Sequence, residues 1–463
     1  MLLVDTHSHV DVARFDEDRD AVLERAWEAG LDWLVVVGSG EGPDGARRAL
    51  SLAKDHERVF ATIGVHPHEA KEWSLLKNPE YRDLAADPKV VAVGEIGLDY
   101  HYMHSPREEQ QARFREFLSL GGALEKPVVV HSREAGEDTI AILREMRSEY
   151  PAGVMHCFSG DYAMARDCLD LGLYLSISGV VTFKNADALR EVVRKVPAEN
   201  LLIETDCPYL TPAPHRGKRN EPSFVPFVAK KIAEIKGLSF DDVARITSLN
   251  ARKLFGFDPT KEARTTYRIR NSLYINLTNR CTLACTFCPK FVDFMVKGHF
   301  LKIGAKGPDP EAVLQEIDAA SAGKRPDEVV FCGYGEPTLR LEELKVIAKG
   351  LKERGHRVRL NTDGLGNLVH GRDITPELDG VVDTVSVSLN AQDAETYARY
   401  CPSRYKTEAY ENVKDFIRCA RSRLPDVQAT VVGLADVDVE ACRRIAEEEL
   451  GVRFRFRPLD EVG

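Results

Sequence analysis

Along the first half of the chain, short runs of aliphatic and β-branched residues alternate with longer stretches of helical periodicity. The runs LLVDTHSHV, WLVVVG, VFATIGVHP, VVAVGEIGLDY, PVVVHS, GVMHCF, YLSIS and LLIETD read as eight strands. Between them, segments such as DRDAVLERAWEAG and SPREEQQARFREFLSLGGALEK place an apolar residue every three or four positions, as a helix buried along one face requires. This rhythm predicts an α/β protein whose residues 1–257 form an N-terminal (β/α)8 TIM-type barrel. DPTKEARTTYRIRN is polar, shows no apolar face and reads as a linker, placed at 258–268. From 269 to 463 the alternation restarts with SLYINLT, EVVFCGYGEPT, RVRLNTDG, TVSVSLNA, VQATVVGL and VRFRFRP. At ~30 residues per βα unit these six strands account for the remaining length, which predicts a partial (β/α)6 barrel rather than a closed one.

Polar residues fall at the ends of the first eight strands. His7 and His9 end the first, His66 the third, Glu95 the fourth, His131 the fifth, His156 the sixth and Asp206 the eighth. In a (β/α)8 barrel these ends share one rim, so residues distant in sequence converge there. His7 and His9, two apart on a strand, point to one face. Imidazoles and carboxylates together suit zinc, manganese or a similar divalent ion. The set suffices for two ions sharing a carboxylate, an arrangement that clamps the oxygens of a phosphoryl displacement. Asp206 is placed both to bind metal and to accept a proton from a water. His68, His101 and His104 fall in rim loops with no separable role.

Composition bounds these readings. Of 463 residues, 43% are hydrophobic and 29% charged, the balance of a folded globular protein with room for two cores. MLLVDTHSHVD brings in charge too early for a signal peptide, and no apolar run approaches the ~18 residues that span a bilayer, so a cytoplasmic protein without membrane contact is expected. A net charge of −10 argues against broad nonspecific nucleic-acid binding, although PHRGKR is a local basic stretch. Ten cysteines without a secretory signal point to reduced thiols or metal ligation.

Three of those cysteines form the motif RCTLACTFCPK, which follows the first strand of the second half. Structural zinc takes four ligands, usually as paired C-x2-C units, and here only Cys285 and Cys288 form such a pair. Cys157, Cys168, Cys207 and Cys332 read as packing residues, and Cys401, Cys419 and Cys442 lie too far apart in sequence to suggest a second cluster.

Two resemblances sharpen this picture. DTHSHVD, GVHPH, GEIGLDY, VVHSR, HCFSG, ETDCPYLTPAPHRGKRNEP and NARKLFG resemble, in order, the TatD family of metal-dependent hydrolases. That resemblance implies DNase or related phosphodiesterase activity on a nucleic acid or nucleotide, at a site of two divalent ions (zinc, manganese or magnesium). His7, His9, Glu95, His131, His156 and Asp206 would be the metal set, with Glu95 bridging. Asp206, Glu95 and His66 would be catalytic, and His66, Arg216, Lys218 and Arg219 would meet the substrate phosphate. The C-x3-C-x2-C spacing of Cys281, Cys285 and Cys288 resembles the radical SAM superfamily, whose three cysteines hold a [4Fe-4S] cluster with one iron left for S-adenosylmethionine. CGYGEPT resembles that superfamily's methionine-binding segment through Gly335, Glu336 and Pro337, with Tyr334 in place of a glycine. Phe287 would shield the cluster or stack near the adenine, and Asn361, Ser388 and Asn390 would meet the cofactor's ribose or carboxylate. An electron donor such as flavodoxin or ferredoxin is implied. The sequence thus predicts a bifunctional enzyme. The alternative is an amide- or ester-cleaving metal-dependent barrel followed by a zinc-binding interaction module.

Overall fold

The computed structural model describes residues 3–256, 263–291 and 294–459. The chain divides into two compact units, Met1–Thr260 and Lys261–Gly463. In the first, all eight predicted strands form and pair in sequence order: β1 (Leu3–Ser8), β2 (Leu31–Gly38), β3 (Val59–Ile63), β4 (Val90–Asp99), β5 (Val128–Arg133), β6 (Gly153–Met155), β7 (Leu173–Ile177) and β8 (Leu201–Ile203). Every pairing is parallel, and β4 is buried along its whole length, as expected of a sheet covered on both faces.

The seam between β8 and β1 is closed just past the strand ends. The Asp206 N–H donates to the His7 carbonyl (2.9 Å) and the His9 N–H to the Cys207 carbonyl (2.8 Å). The buried Asp5 carboxylate accepts from the Thr205 N–H (2.9 Å) and hydroxyl (2.6 Å). Burial pushes Asp5 up to about 8 in spite of these donors. The seam bonds therefore lock Asp206 in register with His7 and His9.

Helix Phe240–Leu254 starts in a capping box between Ser239 and Asp242 and packs on β1 and β8. Its Ala251 and Leu254, with Phe255, join Val4, Trp33, Val129, Val154 and Leu202 in one buried cluster. A larger cluster fills the space between strands and surrounding helices.

The second unit is a seven-stranded sheet in the order β17-β16-β15-β14-β13-β10-β9. Its strands are β9 (Thr266–Ile269), β10 (Ser272–Ile275), β13 (Glu328–Phe331), β14 (Val358–Thr362), β15 (Thr384–Ser388), β16 (Val427–Val432) and β17 (Arg453–Arg457). A separate small hairpin is made of β11 (Met295–Val296) and β12 (His299–Phe300). The six predicted strands are all present and parallel. The linker expectation is corrected at its C-terminal end. Thr266–Ile269 pairs antiparallel with β10, with Tyr267 and Ile269 buried and their neighbours half-buried. TYRI hides a two-residue period that a count of polar residues overlooks. Residues 258–262 of the expected linker lie outside the described residues. No helix among the described residues is long and apolar enough to cross a membrane.

Candidate active sites in the two units

The strand ends of the first unit bring the six predicted ligands together around Glu95, which lies within β4. Its Oε1 stands 2.7 Å from His131 Nδ1, 3.0 Å from His156 Nε2 and 3.6 Å from His66 Nε2, and its Oε2 is 3.5 Å from His7 Nε2. Asp206, at a left-handed φ of 55°, aims Oδ1 at His9 Nε2 (3.4 Å) and His7 Nε2 (3.8 Å). Aspartate tolerates that backbone region better than most side chains.

Three donor sets, His7/His9/Glu95, His7/His156/Asp206 and His66/Glu95/His131, each gather their ligand atoms within 4.8 Å. Neither ring nitrogen of the fully buried His7 makes a hydrogen bond among the described residues. Since buried polar atoms are normally satisfied, the donor set fits metal ions.

The electrostatics agree with that fit. Burial alone would raise Glu95, but the His156 and His66 imidazoles hold it well below the usual carboxylate range. Asp206 is lowered too, its burial outweighed by the His9 hydrogen bond and by His156 and His7. Burial opposes protonation of His156, yet Glu95 and Glu204 raise it well above the ordinary value. His66 is pushed down to about 3 by burial.

His66 lies three residues past the end of β3, and its Nδ1 accepts the His68 N–H at 3.2 Å. His66 shares a donor set with Glu95 and His131, standing 3.6 Å from Glu95 where His131 stands at 2.7 Å.

Two carboxylates escaped sequence reasoning. Glu204 accepts the Cys157 N–H (2.6 Å) and stands 3.2 Å from His156 Nδ1. Asp99 Oδ2 lies 2.8 Å from His68 Nε2 and 3.4 Å from His131 Nε2. Both sit behind imidazoles, where carboxylates orient metal ligands. The signal was present in IETD and GEIGLDY, each with a second acid near a predicted ligand.

The basic stretch is less available than its composition suggests. Arg219 binds Asp18 (2.6 Å) and the Arg14 carbonyl (2.7 Å), and Arg216 lies over the Phe183 ring and donates to the Thr211 carbonyl. Lys218 is exposed.

In the second unit, Cys281, Cys285 and Cys288 line one cavity of about 250 Å³. Their loop is docked on a distant segment: Ala284 N–H donates to the Pro402 carbonyl (2.8 Å) and Thr286 N–H to the Tyr400 carbonyl (2.9 Å). That docking brings Cys401, only 1% exposed and accepting from Asn390 Nδ2 at 3.5 Å, beside Cys285. The separation of 116 positions conceals this neighbour from the sequence. Cys401 and burial push the Cys285 thiol up, and burial raises Cys281 and Cys288.

Gly335 stands where any Cβ would collide with the carbonyl oxygens of Thr278 and Arg280, so glycine is required for the close approach of this strand end to the cysteine loop. The Glu336 carboxylate is spent internally, accepting from the Thr338 N–H and hydroxyl, the Thr362 hydroxyl and the Asp363 N–H. Pro337 begins the buried turn Pro337–Arg340. Phe287, Asn361, Ser388 and Asn390 line the cavity. The side-chain oxygens of Asn361 and Asn390 are buried without partners among the described residues, and three thiols with two orphaned acceptors fit a cluster and a hydroxyl-bearing cofactor.

A (β/α)8 barrel with imidazoles and carboxylates on one rim defines the first unit as a metal-dependent hydrolase. Residues 4–256 match the family model for TatD related DNase, and the chain belongs to that family. Residues 275–448 match the model of the Radical SAM superfamily, which replaces the zinc-module alternative. An uncharacterized metal-dependent hydrolase YabD of Bacillus subtilis is 43% identical over 254 residues, covering 55% of this chain and 99% of the relative. A protein named 3'-5' ssDNA/RNA exonuclease TatD from Erwinia amylovora is 41% identical over 249 residues, covering 52% and 95%. The crystal structure of YjjV, a TatD homolog of Escherichia coli K12, aligns with a TM-score of 0.52 at 31% identity over 55% of this chain and 98% of that one. The protein is thus a two-unit enzyme, with divalent metals as cofactors of the hydrolase, and a [4Fe-4S] cluster and S-adenosylmethionine as those of the radical unit.

Proposed function

We propose that the first unit hydrolyses phosphodiester bonds of DNA or a related nucleic acid, and that the second uses S-adenosylmethionine for hydrogen abstraction from a separate substrate. The observation that carries the first half is the convergence of His7, His9, His131 and His156 with Glu95 and Asp206, whose ligand atoms gather in sets spanning no more than 4.8 Å. A relative of this unit bears the name of a single-strand exonuclease.

In this reading His7, His9, Glu95, His131, His156 and Asp206 would hold two divalent ions, and Glu95 would be the carboxylate common to both. The ions supply Lewis-acid stabilisation of the phosphoryl oxygens. Asp206, kept ionised by His9, accepts a proton from the attacking water at a carboxylate oxygen. His66 is neutral, and because its Nδ1 accepts the His68 N–H, its own proton sits on Nε2. At 3.6 Å from Glu95 that N–H makes no hydrogen bond with it, and it would be offered to a phosphate oxygen. Lys218 and Arg216 add charge at the rim.

In the second unit Cys281, Cys285 and Cys288 ligate the cluster. Asn361 and Asn390 accept from the cofactor's hydroxyls through their orphaned oxygens, Ser388 stands beside them, and Phe287 covers the cluster. Gly335 and its neighbours present backbone rather than the Glu336 side chain to the methionine end. When bound, the cluster and S-adenosylmethionine would supply the hydrogen-abstracting chemistry, with an electron from a donor such as flavodoxin or ferredoxin.

The hydrolase reading is tested with single-stranded DNA against a panel of amides and esters, using wild type and Glu95→Ala. Metal-dependent release of nucleotides by wild type, lost together with bound metal in the variant, is expected. Cleavage confined to amides or esters, or two metal equivalents and full activity in Glu95→Ala, overturns it.

A further inference from the structure

The cavity that holds the three cluster cysteines also carries a concentration of positive charge that neither the cluster nor the assigned cofactor contacts use. Arg359 projects from β14, and Arg455 and Arg457 project from β17, on alternate residues of their strands and into the same cavity. Burying guanidinium groups is unfavourable unless they are paired. Arg359 is 5% exposed and gives one nitrogen to Glu328 at 2.9 Å, but its Nε has no hydrogen-bond partner among the described residues. The Nε of Arg457 is buried in the same condition. Burial holds both Arg455 and Arg457 below the ordinary guanidinium value, and repulsion from Arg359 adds to it, so the groups lie close enough to oppose one another. Asn361, Ser386 and Thr430 supply neutral hydrogen-bonding groups along the same wall. Two arginines that line one cavity, each with a buried Nε–H lacking an acceptor among the described residues, suit an oxyanion, which guanidinium groups bind through their N–H donors.

We propose that the substrate of the radical unit carries an anionic oxyacid group, a carboxylate or a phosphate, seated on Arg359 and Arg457 at the end of the cavity formed by β14 and β17. This rests on the radical reading of the second unit and adds to it the class of molecule on which that unit acts. Arg457 is the discriminating residue, because Arg359 also has a structural partner in Glu328. A purely structural Arg457 stabilises the free protein, whereas a ligand-binding Arg457 destabilises it until an anion arrives.

The test is calorimetric titration of the full-length chain with inorganic phosphate and, separately, with succinate, for wild type, Arg457→Gln, Arg457→Lys and Arg359→Gln. The expected result is an anion site whose affinity falls at least tenfold in Arg457→Gln and Arg359→Gln and by less in Arg457→Lys, which keeps the charge without the fork. Tighter binding of phosphate or of succinate tells which oxyacid the substrate bears. The unfolding temperature of anion-free Arg457→Gln is expected at or above that of wild type, with the order reversed at saturating anion. If Arg457→Gln does not fold, Arg457→Lys carries the comparison. Anion binding unchanged in the variants, or absent from wild type, overturns the proposal. So does a loss of S-adenosylmethionine binding in Arg457→Gln, which would assign these arginines to the cofactor's own carboxylate. The titration needs no cluster, so a failure of the anion site and a failure of iron uptake are separate results.

Discussion

At the scale of single residues, the hydrolase centre depends on side chains that touch no ion in the proposed arrangement. Glu204 illustrates this, since its carboxylate faces His156 Nδ1 while His156 Nε2 faces Glu95. Glu204→Gln keeps the hydrogen bond from Cys157 but removes the charge that orients and polarises the ring. Metal affinity is expected to fall by about 10–100-fold with the fold intact, as for other carboxylates behind metal-bound histidines. Competition of the purified variant with a calibrated chelator measures this, and unchanged affinity would remove Glu204 from the centre. In the second unit the comparable residue is Cys401. Its position beside Cys285 makes it a rival fourth ligand, whereas a site open to S-adenosylmethionine requires only three. Cys401→Ala is expected to retain about four irons per chain, while Cys285→Ala loses the cluster; iron analysis after anaerobic reconstitution decides between them.

At the scale of elements, the loop after β8 carries Asp206 and is tied back to the first helix of the barrel, Arg19–Glu28. Arg25 on that helix grips Glu221 with two hydrogen bonds, Nε to Oε1 at 2.8 Å and an Nη to Oε2 at 2.6 Å. Burial would raise Glu221, but Arg25 outweighs it and the carboxyl lies below its ordinary value of 4.5. A carboxyl lowered by folding stabilises the native state above its unfolded pKa and gives that contribution up as pH falls through the folded value. Glu221→Gln is therefore expected to cost about 1–2 kcal/mol at neutral pH and to flatten the acid limb of the stability curve, as read by urea denaturation across pH. An identical acid limb in both proteins would show the pair to be silent.

The elements were legible in the sequence to differing degrees, for physical reasons. All fourteen predicted strands are present; thirteen carry β-branched or aliphatic residues, as a parallel sheet buried on both faces requires, whereas the edge strand β17 alternates arginine with phenylalanine. β9 was missed because an edge strand alternates, leaving Tyr267 and Ile269 as its whole apolar signal. The proposed ligands were readable because a barrel fixes where its strand ends meet, as with His7 and His156; Glu95, expected at the end of the fourth strand, lies within β4 instead. Cys401 and the arginine trio were not, because their neighbours come from loop docking and from the inner face of a sheet whose alternation looked merely basic.

At the scale of the whole molecule, each unit builds its own apolar core and its own polar centre, and the two centres differ in kind: nitrogen and oxygen donors in one, thiols in the other. Hard and borderline ions suit the first and iron-sulfur chemistry the second. One chain therefore carries two catalysts whose cofactors do not compete for the same ligands. The measurement that tests this most directly is metal and product analysis of the full-length protein, reconstituted anaerobically with iron and sulfide, then reduced with dithionite in the presence of S-adenosylmethionine. The account predicts about four irons per chain, a change in the EPR spectrum of the reduced cluster when S-adenosylmethionine is added, and slow formation of 5'-deoxyadenosine, all lost in Cys281→Ala, Cys285→Ala or Cys288→Ala. A protein that instead takes up a single zinc in the second unit, binds no iron and leaves S-adenosylmethionine intact would contradict it.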